Sequence, residues 1–369
     1  MSKTVRSLLI ILLAVLMVGS GTIFVVAGTH PGTAYDPGKV KLDVKLMTRD
    51  EVLTCGYKVY GDTSQDYWVG KTIIKNTGQM PVYDFKISYK IRDFCGWTSG
   101  ENYPVICPGE TVRDYCWPAL DGEKVSKITT KTPVELIMKY EFRGIGKPIE
   151  DWKQIFLLGK NDFVFTSLTD DQRVTFADDF DNYPFLCAFI TPNEPTTKSF
   201  AHMVASGFPT GTSDADALNA FYKCFDVLRA HGVKYIQESS TFWAGTEGQY
   251  VQYPKDTIDR KSGTCLDLAI CVAGLMEAVG IKSYVALVPG HAIPVIELPE
   301  SGDNYSIEST FIDKDFALSH YPELGLSPDV TAKECTAVSD DILQSSMAEG
   351  QLLLVDPEYW WNNGMVPPW

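Results

Sequence analysis

Positive charge is scarce in this sequence. Its 369 residues include 32 Lys and Arg against 47 Asp and Glu, so the net charge is −15, and His occurs only 5 times. Such a chain is poorly suited to neutralise a row of phosphates, which argues against nucleic acid as a partner. The same balance argues against docking on anionic lipid through a basic patch.

Metal and nucleotide motifs are also absent. The 9 cysteines include no CxxC pair and no Cys/His zinc spacing, so no structural metal is predicted. Asp178, Asp179 and Asp181 lie together but lack the spacing of a calcium loop. No HExxH, GxSxG, GxGxxG or P-loop motif occurs. We therefore predict that the protein uses no metal and no cofactor.

Charge disappears altogether near the beginning of the chain. Lys3 and Arg6 precede an uncharged apolar stretch from Ser7 to Gly28. The stretch has about the twenty residues needed to span a bilayer, whereas a secretory apolar core is usually about 7–15 residues long. We predict a membrane anchor through residues 7–28, with a cleaved signal peptide as the alternative. As an anchor or as a signal peptide, the segment 1–28 directs export of the rest of the chain. A linker over 29–39 follows it.

The cysteine content fits an exported protein, because disulfides persist in oxidising compartments. An odd number leaves at least one thiol unpaired or paired with another molecule. Cys95 with Cys107, or Cys55 with Cys116, are candidate bridges. The sequence does not fix the pairing.

Residues 40–165 have the pattern of β-strands. "KLDVKLM" and "VYDFKISYKI" alternate apolar and polar residues with a period of two, and "VELIMKYEF" is a further strand candidate. Turn signals such as Pro108-Gly109 and Asp121-Gly122 separate the runs. This spacing predicts an immunoglobulin-like β-sandwich. The polar, acidic stretch over 166–187 is interpreted as a solvated linker.

Helices predominate after that stretch, which indicates an α+β chain overall. Pro195 to Gly207 and residues 214–230 have helical spacing, the latter beginning at Ser213 and ending at Gly232. Tyr235-Ile236 is a brief strand candidate. We place a second domain at 188–330 and a C-terminal extension at 331–369.

The segment from Cys265 to Val279 predicts a buried helix. Its apolar residues point in every direction, and Gly280 supplies a stop signal. Cys265 therefore lies on the first turn, where free N–H groups and the helix dipole favour an anion. A thiolate is stabilised there, and the backbone can donate to an oxyanion. Asp267 is interpreted as fixing the helix start rather than taking part in chemistry.

Two strand candidates follow this helix, and the second begins with His291 in "HAIPVIEL". The next segment, "YSIEST", is predicted as a third strand carrying Glu308. Neighbouring strands can place an acid behind an imidazole, where it orients the ring and stabilises the imidazolium. The pattern thus suggests a nucleophile, a base and an orienting acid in the order Cys265, His291, Glu308.

These residues resemble the transglutaminase-like superfamily, which has a papain-like core. The matching positions are Gly263, Cys265, Asp267, Ala269, Gly290-His291-Ala292 and Glu308-Ser309-Thr310. The upstream segments "FITPNEPTTKSFAHMV", "VKYIQE" and "QYPKDTIDRKSG" resemble archaeal and bacterial members, so the resemblance covers about 185–320. It implies that Cys265 is the nucleophile, His291 the base and Glu308 the orienting acid.

Two positions depart from the family pattern. The family has Asp where this chain has Glu308, and Asp313 is the substitute candidate. True transglutaminases use a Trp upstream of the Cys to stabilise the oxyanion; here Trp243 is the weak candidate, and a plain aromatic loop residue is the alternative.

Three functions are consistent with the sequence. The first is an exported, membrane-anchored cysteine amidase or peptidase that forms a thioester at Cys265 with a protein or peptide substrate. The second is a transglutaminase that passes the same thioester to an amine and cross-links proteins. The third is a catalytically silent envelope protein whose sandwich binds a surface polymer. We favour hydrolysis, because the prokaryotic proteins that the chain resembles are thought to be largely peptidases.

Overall fold

The computed structural model describes residues 35–61, 67–206, 213–237 and 248–368. Helices and strands both contribute extensively to the fold, as the α+β prediction requires. The predicted membrane segment at 7–28 and Trp243 lie outside the described residues. Among the helices that are described, none is both long and apolar enough to cross a bilayer.

The first part of the chain forms two sheets. Its elements are β1 (Leu42–Thr48), β2 (Glu51–Val52), β3 (Gly70–Asn76), β4 (Val82–Ile91), β5 (Glu101–Ile106), β6 (Thr111–Cys116), α1 (Gly122–Val125), β7 (Thr132–Glu141) and β8 (Ile149–Leu157). One sheet has the order β1-β3-β6 and the other β2-β8-β7-β4-β5. All of these pairings are antiparallel except β2 with β8.

Alternation along these strands places one side of each sheet in a common core. In β4, for example, Phe85, Ile87, Tyr89 and Ile91 are buried. The Tyr89 hydroxyl reaches from β4 to β3 and β6, at 2.8 Å from Thr72 Oγ1 and 2.7 Å from Asp114 Oδ2. The period-two pattern of "VYDFKISYKI" therefore predicted both the strand and its buried face.

The stretch over 166–187 is not a solvated linker, and that part of the sequence interpretation is wrong. It contains 3-10 turns at Asp170–Gln172, Phe176–Phe180 and Tyr183–Ala188. Phe180, Phe185 and Leu186 from this stretch are buried in the same core as the sheets. The acidic residues lie on exposed positions between these aromatic anchors, so average polarity concealed the buried side.

Helices and a third large sheet make up the rest of the chain. The elements are β9 (Asp162–Phe163), α2 (Pro195–Ala205), α3 (Asp214–His231), β10 (Lys234–Tyr235), β11 (Gln249–Tyr250), α4 (Pro254–Arg260), β12 (Ser262–Gly263), α5 (Cys265–Ala278), β13 (Ser283–Val288), β14 (His291–Glu297), β15 (Asn304–Ser306), α6 (Lys314–His320), α7 (Ala332–Ala348), β16 (Leu353–Val355) and α8 (Pro357–Asn362). The sheet has the antiparallel order β15-β14-β13-β16. Short pairs join β9 to β11 and β10 to β12.

Helix α5 is buried between two clusters of apolar side chains. Leu266, Ala269 and Ile270 pack into the core shared with the first two sheets. Leu268 and Leu275 pack on the opposite side with side chains from α2, α3 and α7. The all-round apolar pattern therefore reflects burial on both sides, as predicted.

The last part of the chain ties the molecule together. β16, which lies within the 331–369 segment, pairs with β13 and adds the fourth strand of the sheet. Trp361 Nε1 in α8 donates to the carbonyl of Cys187 at 2.9 Å. Met365 is fully buried in the core shared with the first two sheets. This segment thus packs against both halves of the chain.

All nine cysteines lie within the described residues, and each is a free thiol. Neither Cys95 with Cys107 nor Cys55 with Cys116 is bridged. Burial raises the pKa of Cys116, and the neighbouring Cys95 adds to that effect.

Candidate active site

The start of helix α5 is built by a reciprocal pair of hydrogen bonds. Thr264 is the N-cap, and its Oγ1 accepts from the amide of Asp267 at 3.3 Å. Asp267 Oδ2 accepts from the amide of Thr264 at 3.0 Å. This capping box satisfies two amides that the helix itself leaves without partners. It fixes the position of Cys265, the first residue of the helix.

Asp267 also ties the helix start to the segment before α4. Its Oδ1 accepts from the amide of Gln252 at 2.8 Å, and Oδ2 accepts from Gln252 Nε2 at 3.0 Å. The side chain is buried, and this burial raises its pKa, although hydrogen bonds from Gln252 and Thr264 oppose the shift. Every contact of the carboxylate is with the framework, which agrees with the structural role predicted for Asp267.

Gly263 is required by close packing beneath the same turn. A Cβ atom added at this position would lie 2.8 Å from the Cβ of Asp267. Gly263 pairs with Tyr235 in the short parallel ladder of β10 and β12, and its carbonyl accepts from the amide of Ile236 at 2.8 Å. Gly263 thus provides close packing, Thr264 provides the cap, and Cys265 provides a half-buried thiol.

Cys265 is half-buried, unlike the fully buried Cys224 and Cys271 on α3 and α5. Burial raises the pKa of both of those thiols, so they stay neutral in the core. The thiol of Cys265 instead neighbours His291 and contributes to raising the pKa of that imidazole. Within the described residues no acceptor faces the amide N–H of Cys265, which leaves this donor free for a negatively charged oxygen.

His291 is positioned by a tight hairpin. It pairs with Val288, so only Pro289 and Gly290 connect β13 to β14. Gly290 has a φ of 69°, in the left-handed region that favours glycine. The strand behind His291 packs on α5 through buried side chains such as Ala292 and Ile296. The hairpin therefore brings the imidazole to the first turn of α5.

Glu308 holds the imidazole from the other side. Its Oε2 lies 2.7 Å from His291 Nε2. Its Oε1 accepts from the amide of Thr310 at 3.0 Å and from Thr310 Oγ1 at 2.6 Å. The carboxylate is only 3% exposed. Because Nε2 faces Glu308, Nδ1 is the ring nitrogen left for Cys265.

The location of Glu308 corrects one detail of the sequence prediction. The third strand, β15, ends at Ser306, so Glu308 is not on a strand. It is the N-cap of a 3-10 turn at Ser309–Ile312, and its amide donates to the carbonyl of Cys335 at 3.1 Å. A capping residue curls its side chain back onto its own turn. That curl, rather than strand register, directs the carboxylate at His291.

The electrostatics of the pair favour an ionised state. Burial lowers the pKa of His291, but the Glu308 carboxylate and the hydrogen bond to Cys265 raise it more, so it lies well above its usual range. Burial raises the pKa of Glu308, but the charge of His291 and the hydrogen bonds from His291 and Thr310 outweigh it, so the net direction is downward. An imidazolium beside Cys265 stabilises a thiolate.

The two remaining candidates do not join this cluster. Asp313 accepts from Lys234 Nζ at 2.9 Å and caps α6, so it is engaged away from His291. Trp243 lies outside the described residues. No sequence pattern predicted a role for Thr310 or Gln252. The capping signature at Thr264 and Asp267 does identify the turn that Gln252 supports.

Within the described ranges 35–61, 67–206, 213–237 and 248–368, no group of three or more His, Cys, Asp or Glu side chains is arranged to hold a metal ion. A scan against protein-family models found no match, and a search of curated proteins found none. The chemistry of the site therefore follows from its own residues: a half-buried thiol next to an imidazole that is hydrogen-bonded to a buried carboxylate.

Proposed function

We propose that the protein is an exported cysteine amidase or peptidase that cleaves amide bonds in a protein or peptide through a thioester at Cys265. The observation that carries this proposal is a half-buried Cys265 at the start of a buried helix, next to His291, which is hydrogen-bonded to the buried Glu308. We further propose a transglutaminase-like fold for residues 188–330, an immunoglobulin-like sandwich for 40–165, and a membrane anchor through 7–28.

The reaction begins with attack by the Cys265 thiolate on the carbonyl carbon of the amide. The oxygen gains negative charge, which the free amide N–H of Cys265 stabilises. His291 then gives its proton to the nitrogen as the C–N bond breaks, and the amine leaves. A thioester remains on Cys265.

Water completes the cycle. His291, now neutral, accepts a proton as water adds to the thioester, and the carbon–sulfur bond breaks to release the carboxylic acid and the thiolate. Glu308 keeps the ring oriented throughout and stabilises each imidazolium state. An amine in place of water would give a cross-linked product instead.

The first test compares two thiols within one molecule. Cys107 is exposed and Cys265 is half-buried, so simple accessibility favours Cys107. We expect iodoacetamide to label Cys265 in the full-length protein at pH 6 about tenfold faster than Cys107, because only a thiolate reacts. Peptide mass mapping without reductant measures both sites.

The variant His291→Gln should slow labelling of Cys265 to the rate of Cys107 and leave Cys107 unchanged. Equal labelling of the two thiols in the wild type contradicts the proposal. Casein digestion then separates the reactions: new carboxyl termini indicate hydrolysis, whereas incorporation of a labelled amine without them indicates transfer. Loss of either product in Cys265→Ala assigns it to this site.

A further inference from the structure

The outer side of the three-stranded sheet carries a concentrated group of cations. Leu46, Ile74 and Asp114 point inward and are buried, so the residues between them point outward. In register, Ile73 of β3 lies between Lys45 of β1 and Arg113 of β6. Pairing across antiparallel strands places these three side chains in one row on the outer side.

Two more cations complete the arrangement along β3. Lys71 and Lys75 flank Ile73 on the same side of the strand. The four cations thus surround Ile73. By ordinary sheet spacings, Lys45 and Arg113 lie about 10 Å apart across the sheet, and Lys71 and Lys75 lie about 13 Å apart along the strand. We call this group, Lys45, Lys71, Lys75 and Arg113, the basic face.

The cations of the basic face lack ion-pair partners among the described residues. Within the part of the chain that the structure describes, none of its four cations forms an ion pair. The single acid in its rows is Asp43, opposite Lys75. Like charges within about a Debye length of 8–10 Å repel one another. Folding therefore gains nothing from this grouping, although the chain as a whole is strongly acidic.

An aromatic cluster adjoins the basic face. The Arg49 guanidinium and Lys71 Nζ lie 5.0 Å and 5.3 Å from the centre of the Trp68 ring. Tyr115 connects Trp68 to Trp117, with ring centres 6.0 Å and 5.4 Å apart. These contacts hold Arg49 and Lys71 in place.

We propose that the basic face binds an acidic polysaccharide, a chain of sugars that carries carboxylate groups. The face is small and lies on a molecule of net charge −15. A narrow, flexible polyanion can lie on the cations alone, whereas a duplex or a bilayer would also approach the acidic remainder. Base stacking is disfavoured because cations already cover the Trp68 ring. The surface is separate from Cys265, so this proposal does not depend on the amide chemistry.

The test uses polygalacturonate as the probe and the full-length protein. Binding is measured by biolayer interferometry, with neutral dextran, single-stranded DNA and anionic phospholipid vesicles as comparison ligands. The double variant Lys45→Gln/Arg113→Gln removes two cations of the basic face. The matched control, Lys147→Gln/Lys153→Gln, removes two exposed cations that lie outside it.

We expect the wild type to bind polygalacturonate but not dextran, with affinity that falls as salt rises. The basic-face variant should bind about tenfold more weakly, since each exposed charge contributes modestly. The control variant should bind as the wild type does. Both variants should keep the wild-type unfolding temperature. Absence of binding overturns the proposal. Equal losses in the two variants, or equally tight binding of DNA or vesicles, also overturn it.

Discussion

At the scale of single residues, the carboxylate of Glu308 divides its two oxygens between two tasks. One oxygen faces His291 and the other accepts both donors of Thr310. The side chain begins on a turn that is itself held by the carbonyl of Cys335. The extra methylene of Glu, relative to the Asp of the resembling family, is consistent with this backward curl. The departure from the family pattern therefore does not prevent contact with the imidazole.

Replacing Glu308 by Gln tests its charge. The amide keeps the size of the side chain but no longer favours the imidazolium, so the pKa of His291 should fall. Because the charged Glu308 favours the imidazolium, which in turn favours a thiolate, fast labelling of Cys265 should extend to low pH in the wild type. In Glu308→Gln the onset of fast labelling should move to higher pH.

The measurement is the rate of iodoacetamide labelling at Cys265 between pH 5 and 9, with Cys107 in the same molecule as the reference thiol. The control is Glu297→Gln at the other end of β14, which pairs with Lys282 and Tyr284 instead. A shift of the same size in both variants would show that Glu308 acts only through general electrostatics.

Thr310 offers a second test at this scale. Thr310→Val keeps the shape and the amide bond but removes the hydroxyl that donates to Glu308 at 2.6 Å. Since that acceptor is charged and buried, we expect a loss of about 1.5–3 kcal/mol in the free energy of unfolding. Urea unfolding measures this, and labelling at Cys265 should slow as well. Thr310→Ser should restore both; if it does not, the hydroxyl is not the cause.

Sequence reasoning selected Cys265, His291 and Glu308, and the structure brings these three together. The sequence could predict these residues because helix starts, turns and the order of motifs are local signals. No role was predicted for Thr310, because its contact with Glu308 depends on how a 3-10 turn directs the Glu308 side chain. Gln252 was missed for a different reason: its contact with Asp267 joins segments separated along the chain, and no periodic pattern records that.

At the scale of elements, helix α5 depends on Asp267 for its first turn. Asp267→Asn replaces one acceptor oxygen by a donor, although all of its partners are N–H groups. We expect the variant to lose about 2–3 kcal/mol of unfolding free energy, because a buried donor then faces a donor. The loss should accompany slower labelling of Cys265, whose position the same turn sets.

The matched control for Asp267→Asn is Asp216→Asn at the start of α3. That residue also joins a capping interaction, with Ser213, but it is more exposed. Exposed caps contribute less, so the control should lose about 1 kcal/mol or less. Thermal and urea unfolding of both variants measure the two losses of unfolding free energy. Equal losses would mean that Asp267 acts as an ordinary cap.

The strands show which elements a sequence predicts well. β4 and β14 were identified from alternation or from β-branched runs between turn signals. β15 was predicted too long because Ile307 is buried like a strand residue, although pairing with β14 stops at Ser306. The buried turns within 166–187 were missed because their anchors are isolated aromatics without a period.

At the scale of the whole molecule, net charge proved a poor guide to local charge. The value of −15 argued against a basic patch, yet alternation in β1, β3 and β6 collects cations on one side of a sheet. A sum over the chain cannot show this. Only the pairing of distant strands places Lys45, Lys71 and Arg113 side by side.

The last segment of the chain predicts how the molecule unfolds. Met365 is fully buried and packs in one core with side chains of the two N-terminal sheets, α5 and the sheet of β13 and β14. A Cβ added at Gly56, within the N-terminal part, would lie 2.4 Å from Met365 Sδ. Both halves thus share apolar contacts, and we expect a single calorimetric transition for the full-length protein.

Met365→Ala should lower the free energy of unfolding by about 2–5 kcal/mol, since it opens a cavity in the shared core. If that core couples the halves, the variant lowers the whole transition or splits it into two. Trp361→Phe is the control, because it removes the bond to the Cys187 carbonyl and part of a partly buried ring but leaves Met365 in the core. Two transitions already present in the wild type would show that the halves unfold independently, and that the contacts of Met365 do not couple them.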